Sequence, residues 1–160
     1  MIEKPFSFHN PNSSESQKIL KARAFDTVAV GDELEPKVYS VTRGDLVNYA
    51  GVVGDTNPIH FSDVIARSMG LDDVCVHGMF SMGVGSSYIT RWLGDPRAVK
   101  EYTVRFVSPW YVPATVPGIA EFTGKIKSLD SETRTGVIVI NARQDNRRIF
   151  GKAAAVVQFS

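Results

Sequence analysis

Between residues 77 and 94 the chain reads HGMFSMGVGSSYITRWLG, its most apolar stretch, and beyond Asp95 the pattern changes to alternation with period two. The run exceeds the usual strand of about 5–6 residues and predicts a buried helix. Gly78, Gly83 and Gly85 lie within it, and a helical glycine costs about 1 kcal/mol relative to alanine. A helix that tolerates them implies a neighbour approaching its backbone closely, and Gly94 stops it. Downstream, KEYTVRFVSP sets Tyr102, Val104 and Phe106 against Thr103 and Arg105. GIAEFTGKIKSLD sets Ala120, Phe122 and Gly124 against Glu121, Thr123 and Lys125. TRTGVIVINARQDNRRIFGKAAAVVQF reads as two strands joined at QDNRR. One long apolar helix beside such a meander predicts an α+β fold, with a curled antiparallel sheet packed on the helix.

Upstream, Val38, Tyr39 and Val41 predict a strand after a Gly-Asp turn. TRGDLVNYAGVVG predicts a helix with Thr42 as N-cap, Asp45 three residues on, and Leu46, Tyr49 and Ala50 along one face. FSDVIARSMGL predicts another, capped by Ser62, with Asp63 and Arg67 as i,i+4 partners and Gly70 as its stop. Residues 1–23 read as a polar N-terminal extension and 24–160 as a single domain. Eighteen basic residues against 17 acidic leave a net charge of +1. That balance gives no basic excess to recruit nucleic acid or a membrane surface. No apolar run approaches the roughly 20 residues of a membrane span. The first residues lack a secretory signal, and the lone Cys75 fits a reducing compartment. A cytoplasmic protein is expected.

Residues 54–61, GDTNPIHF, place an acid, an amide and a histidine around a proline. Gly-Asp and Asn-Pro are strong turn signals, so a plain connecting turn is one account. The other is an active site, because a stiff proline between Asp55 and His60 fixes the separation that acid–base chemistry needs. His77 reads as a capping or structural residue. The N-terminus of the helix it opens is the better functional candidate, since free N–H groups at Gly78 can receive charge developing on a carbonyl oxygen. The three histidines and scattered acids lack metal-ligand spacing, so no metal is expected. GVGSS follows no strand and precedes no Gly-Lys-Ser/Thr, so it is not a phosphate loop.

YAGVVGDTNPIHFSDVIARSMGL followed by VHGMFSMG resembles the signature of MaoC-like (R)-specific enoyl-thioester hydratases and dehydratases. The matching positions are Tyr49, Gly54, Asp55, Asn57, Pro58, Ile59, His60, His77, Gly78 and Met79. Within that family the likeness runs to the B-subunit type of mycobacterial (3R)-hydroxyacyl-ACP dehydratases, over roughly residues 24 to 160. The resemblance implies a hot-dog fold, an antiparallel sheet wrapped around a central helix at residues 78–93. It implies a dimer, either a homodimer or a heterodimer with another hot-dog subunit. It also implies Asp55 and His60 as the catalytic pair, with Asn57, the Gly78 N–H and Ser81 on the substrate side and Ser81 supporting the acid. The activity implied is that of a lyase of fatty acid metabolism. It would interconvert (3R)-3-hydroxyacyl and trans-2-enoyl thioesters, carried on CoA or acyl carrier protein, without metal or organic cofactor. A non-catalytic hot-dog subunit that stabilises a catalytic partner, and an acyl thioesterase, are the alternatives.

The chemistry stands on its own terms. Dehydrating a 3-hydroxyacyl thioester removes a weakly acidic C2 proton and expels a poor leaving group. A histidine with a pKa near 6.5 exchanges a proton at neutral pH, and an aspartate can hold the hydroxyl. Phe61, Met69, Met79, Phe80, Met82, Trp92 and Trp110 are read first as core packing and second as an acyl tunnel. Arg147 and Arg148 are read first as a solvated turn and second as a contact for an acidic carrier or a CoA phosphate.

Overall fold

The computed structural model describes residues 22–160, so residues 1–21 of the extension expected at residues 1–23 lie outside them. Six strands form one antiparallel sheet: β1 (Glu33–Val41), β2 (Val99–Phe106), β3 (Gly118–Asp130), β4 (Thr135–Gln144), β5 (Arg147–Arg148) and β6 (Phe150–Gln158). The order is β1-β3-β4-β6-β2, with the short β5 paired to β4. Three helices, α1 (Arg43–Val53), α2 (Asp63–Ser68) and α3 (Gly78–Leu93), fall between β1 and β2 in the chain. This is the hot-dog arrangement, with α3 carried against the sheet.

Alternation fixes which face each strand buries. Ala120, Phe122 and Ile126 of β3, Ile138, Ile140 and Ala142 of β4, and Phe150, Ala153 and Ala155 of β6 are buried, as are Tyr88, Ile89 and Leu93 of α3. Only one helix glycine answers to close approach. A Cβ on Gly85 would collide with the Tyr102 hydroxyl and meet the Phe150 ring, whereas nothing lies within 4 Å of one on Gly83. The Tyr88 hydroxyl donates to the carbonyls of Leu34 (3.3 Å) and Glu35 (3.1 Å), where β1 bulges. Burial pushes the Tyr88 phenol up to about 12.

The helix signals act as the sequence predicts. Thr42 and Asp45 close a reciprocal capping box on α1. Ser62 caps α2. Gly94 ends α3 in the left-handed region, where a side chain would be strained. Two expectations are corrected. Asp63 pairs with Arg43 (2.7 Å) rather than Arg67, because Arg43 also reaches Asp73 (2.6 Å) and the Val112 carbonyl (2.5 Å) and draws the acid across. Nor is everything after Asp95 strand: Pro96–Ala98 form a 3-10 turn, and residues 107–117 run as irregular chain that buries Trp110, Tyr111 and Val112. Gln144 substitutes for a strand there, accepting from the Tyr111 N–H (2.8 Å) and donating to its carbonyl (2.9 Å).

Candidate active site

The loop from α1 to α2 is shaped by its own side chains. Gly54 ends α1 with φ of 72°, a conformation that favours glycine. One Asp55 carboxylate oxygen accepts from the Asn57 N–H (3.1 Å), and the Asn57 amide oxygen accepts from the Ile59 N–H (3.3 Å). Asn57 and Pro58 thereby open a 3-10 turn, Pro58–His60, which carries His60 inward.

His60 is buried, and its Nδ1 lies 2.7 Å from the Cys75 carbonyl. A carbonyl only accepts, so in neutral His60 the Nδ1 holds the proton and Nε2 presents a lone pair. That carbonyl is itself fixed. Val74 and Val76 hydrogen-bond to Val112 and Trp110 (2.8 Å each), and Asp73 on the same segment is held by Arg43. The second Asp55 oxygen stands 3.9 Å from His60 Nε2, on a side chain 42% exposed. This is too long for a direct hydrogen bond, but an oxygen atom off the line joining the two could stand about 2.8 Å from both.

His77 is 2% exposed. Its ring stacks on His60 at 3.8 Å with planes 23° apart, and Tyr49 packs at 4.9 Å. Neither of its ring nitrogens has a hydrogen-bond partner among the described residues. Burial, with a smaller contribution from His60, holds its pKa below the ordinary value, and Asp55 opposes weakly. His77 opens α3 without a side-chain cap, which leaves the first-turn N–H groups from Gly78 onward without a side-chain cap. Ser81, one turn on, donates its hydroxyl to the His77 carbonyl (3.3 Å) instead of to Asp55, because a helical serine reaches the carbonyl four residues back.

Asp55 and His60 thus come together at the start of α3 beside Gly78, whereas Asn57 and Ser81 face backbone partners. His77 joins them, which its sequence reading as a cap did not anticipate. The available signal was its place in the HGM run directly before Gly78. One donor atom from each of Asp55, His60 and His77 lies within 4.8 Å of the others. The apolar candidates divide. Trp110 is core, whereas Phe61, Met69 and Met79 are exposed.

A family model described as MaoC like domain matches residues 25–143. The chain is 38% identical over 78 residues to the 3-hydroxyacyl-thioester dehydratase X of Mycobacterium tuberculosis, covering 49% of this chain and 27% of that protein. A solved MaoC-like dehydratase superposes with a TM-score of 0.86 at 50% identity, over 87% of this chain and 43% of that one. The (3R)-hydroxyacyl-ACP dehydratase complex of M. tuberculosis shares the fold, with a TM-score of 0.64 at 17% identity, over 82% of this chain and 97% of that one. The chain spans less than two thirds of the length of the curated relatives it matches.

Proposed function

The chain belongs to the MaoC-like domain family, and from that premise we propose that it interconverts (3R)-3-hydroxyacyl and trans-2-enoyl thioesters by removing and adding water. The observation that carries this reading is the His60 Nε2 lone pair facing an Asp55 oxygen at 3.9 Å. In dehydration, Nε2 takes the C2 proton and the electron pair forms the C2–C3 double bond. The C3 hydroxyl leaves between Asp55 and His60, and the proton on Nε2 is passed to it, so that one water departs. Charge developing on the thioester oxygen is met by N–H groups at the start of α3, beginning with Gly78. Every step uses groups of the chain and substrate alone.

The same reading makes the handle CoA or an acyl carrier protein and the setting cytoplasmic fatty acid metabolism. No helix among the described residues is long and apolar enough to cross a membrane. It also makes the domain one half of a pair. Phe61, Val64, Ile65 and Met69 are exposed together on and beside α2, an apolar surface suited to a second hot-dog subunit, identical or not.

The test follows loss of enoyl absorbance from a medium-chain trans-2-enoyl-CoA with the purified chain, and then identifies product by mass and chirality. A (3R)-3-hydroxyacyl product establishes the reaction. Free CoA replaces it with thioester hydrolysis, and no turnover without an added partner favours a stabilising subunit.

A further inference from the structure

His77 is a buried polar side chain with no hydrogen-bond partner among the described residues. A neutral imidazole carries one N–H donor and one acceptor, and buried groups of that kind are satisfied in nearly all folded proteins. Here both nitrogens lack partners among the described residues, on a side chain 2% exposed. The unused nitrogens do not point to an empty part of the core. One lies within 4.8 Å of both an Asp55 oxygen and a His60 ring nitrogen, and a single oxygen atom can stand about 2.8 Å from two groups so spaced. Tyr49 and His60 flank the ring, so its orientation is set by packing before any ligand arrives.

We propose that His77 is a substrate-contacting residue of this site, its ring N–H donating to the oxygen that leaves or enters at C3 while Asp55 accepts from that oxygen. This rests on the hydration–dehydration reading above. It separates two tasks: His60 handles the C2 proton, and His77 with Asp55 fixes the oxygen. A neutral His77 suits the donor role, and burial beside His60 favours that form. Helix α3 then contributes twice at one end, through backbone N–H groups toward the thioester and through the side chain of its first flanking residue toward C3.

The test compares His77→Phe, which keeps a flat ring on His60 but has no N–H, with His77→Gln, which restores a donor. In trans-2-enoyl-CoA hydration by the full chain, His77→Phe should lose about 10²-fold in kcat, the scale of one lost transition-state donor. KM should stay close to the parent value, and His77→Gln should recover part of the loss. A folded His77→Phe with near-parent kcat overturns the assignment while leaving the reaction standing. A parent chain that hydrates no enoyl thioester removes the underlying reading, and this assignment with it. Should His77→Phe fail to fold, ring nitrogen NMR of the parent decides, since the chain has only three histidines. The His77 signals should move with (3R)-3-hydroxyhexanoyl-CoA and not with hexanoyl-CoA. Equal or absent shifts overturn the proposal.

Discussion

At the scale of single residues, the two oxygens of Asp55 do different work. One shapes the turn by accepting from Asn57 and the other faces His60. Asp55→Asn keeps an amide oxygen able to hold the same turn, so the fold should persist. Turnover should fall about 10²- to 10⁴-fold, the usual contribution of a positioned acid–base group. Steady-state kinetics beside a thermal melt checks this, and a folded variant with full turnover would remove Asp55 from the mechanism. His77 adds a pH dependence. Its pKa is lowered in the folded state by burial first and by His60 second. The unfolded chain therefore binds this proton more readily. The stability His77 contributes is complete above the unfolded value near 6.5 and drains away as pH falls toward the folded value. The melting temperature should drop more steeply in the parent than in His77→Gln as pH falls below about 6.5.

Among the elements, α3 carries the sharpest contrast. Gly83 has open space where a Cβ would go, and Gly85 has the Tyr102 hydroxyl and the Phe150 ring. Gly83→Ala should stabilise by about 0.5–1 kcal/mol through helix propensity. Gly85→Ala should destabilise by about 1–3 kcal/mol through overpacking. Denaturant melts distinguish the two. Adding Tyr102→Phe should recover part of the Gly85→Ala loss, because it removes the clashing hydroxyl, which is itself buried and unpartnered among the described residues. An uncoupled double mutant would show that Phe150 sets the limit instead. Arg43 acts across elements, tying the starts of α1 and α2 to the segment whose Cys75 carbonyl orients His60.

For the whole molecule, the exposed apolar residues on and beside α2 and the open edges at β1 and β2 predict association. Light scattering on the purified chain should give twice its 17.6 kDa, and a persistent monomer would point to a non-identical partner subunit. Much of the architecture was legible before any coordinates. Thr42, Ser62, Gly70 and Gly94 mark helix ends through local backbone chemistry, and alternation in β3 and β4 assigns the buried face, because both signals act between near neighbours in sequence. The proximity of Asp55 to His60 was legible for the same reason, since a short proline turn joins them. The irregular path of residues 107–117, the capture of Asp63 by Arg43 and the stacking of His77 on His60 were not. Each depends on groups far apart in the chain meeting in space, and no spacing rule encodes which of several candidate partners lies closest. The sequence by itself determined the helix around which the sheet closes and the turn that carries an acid and a histidine. Only the tertiary structure decided which buried side chains face that turn, because packing brings the 73–76 segment and the His77 ring that follows it onto His60.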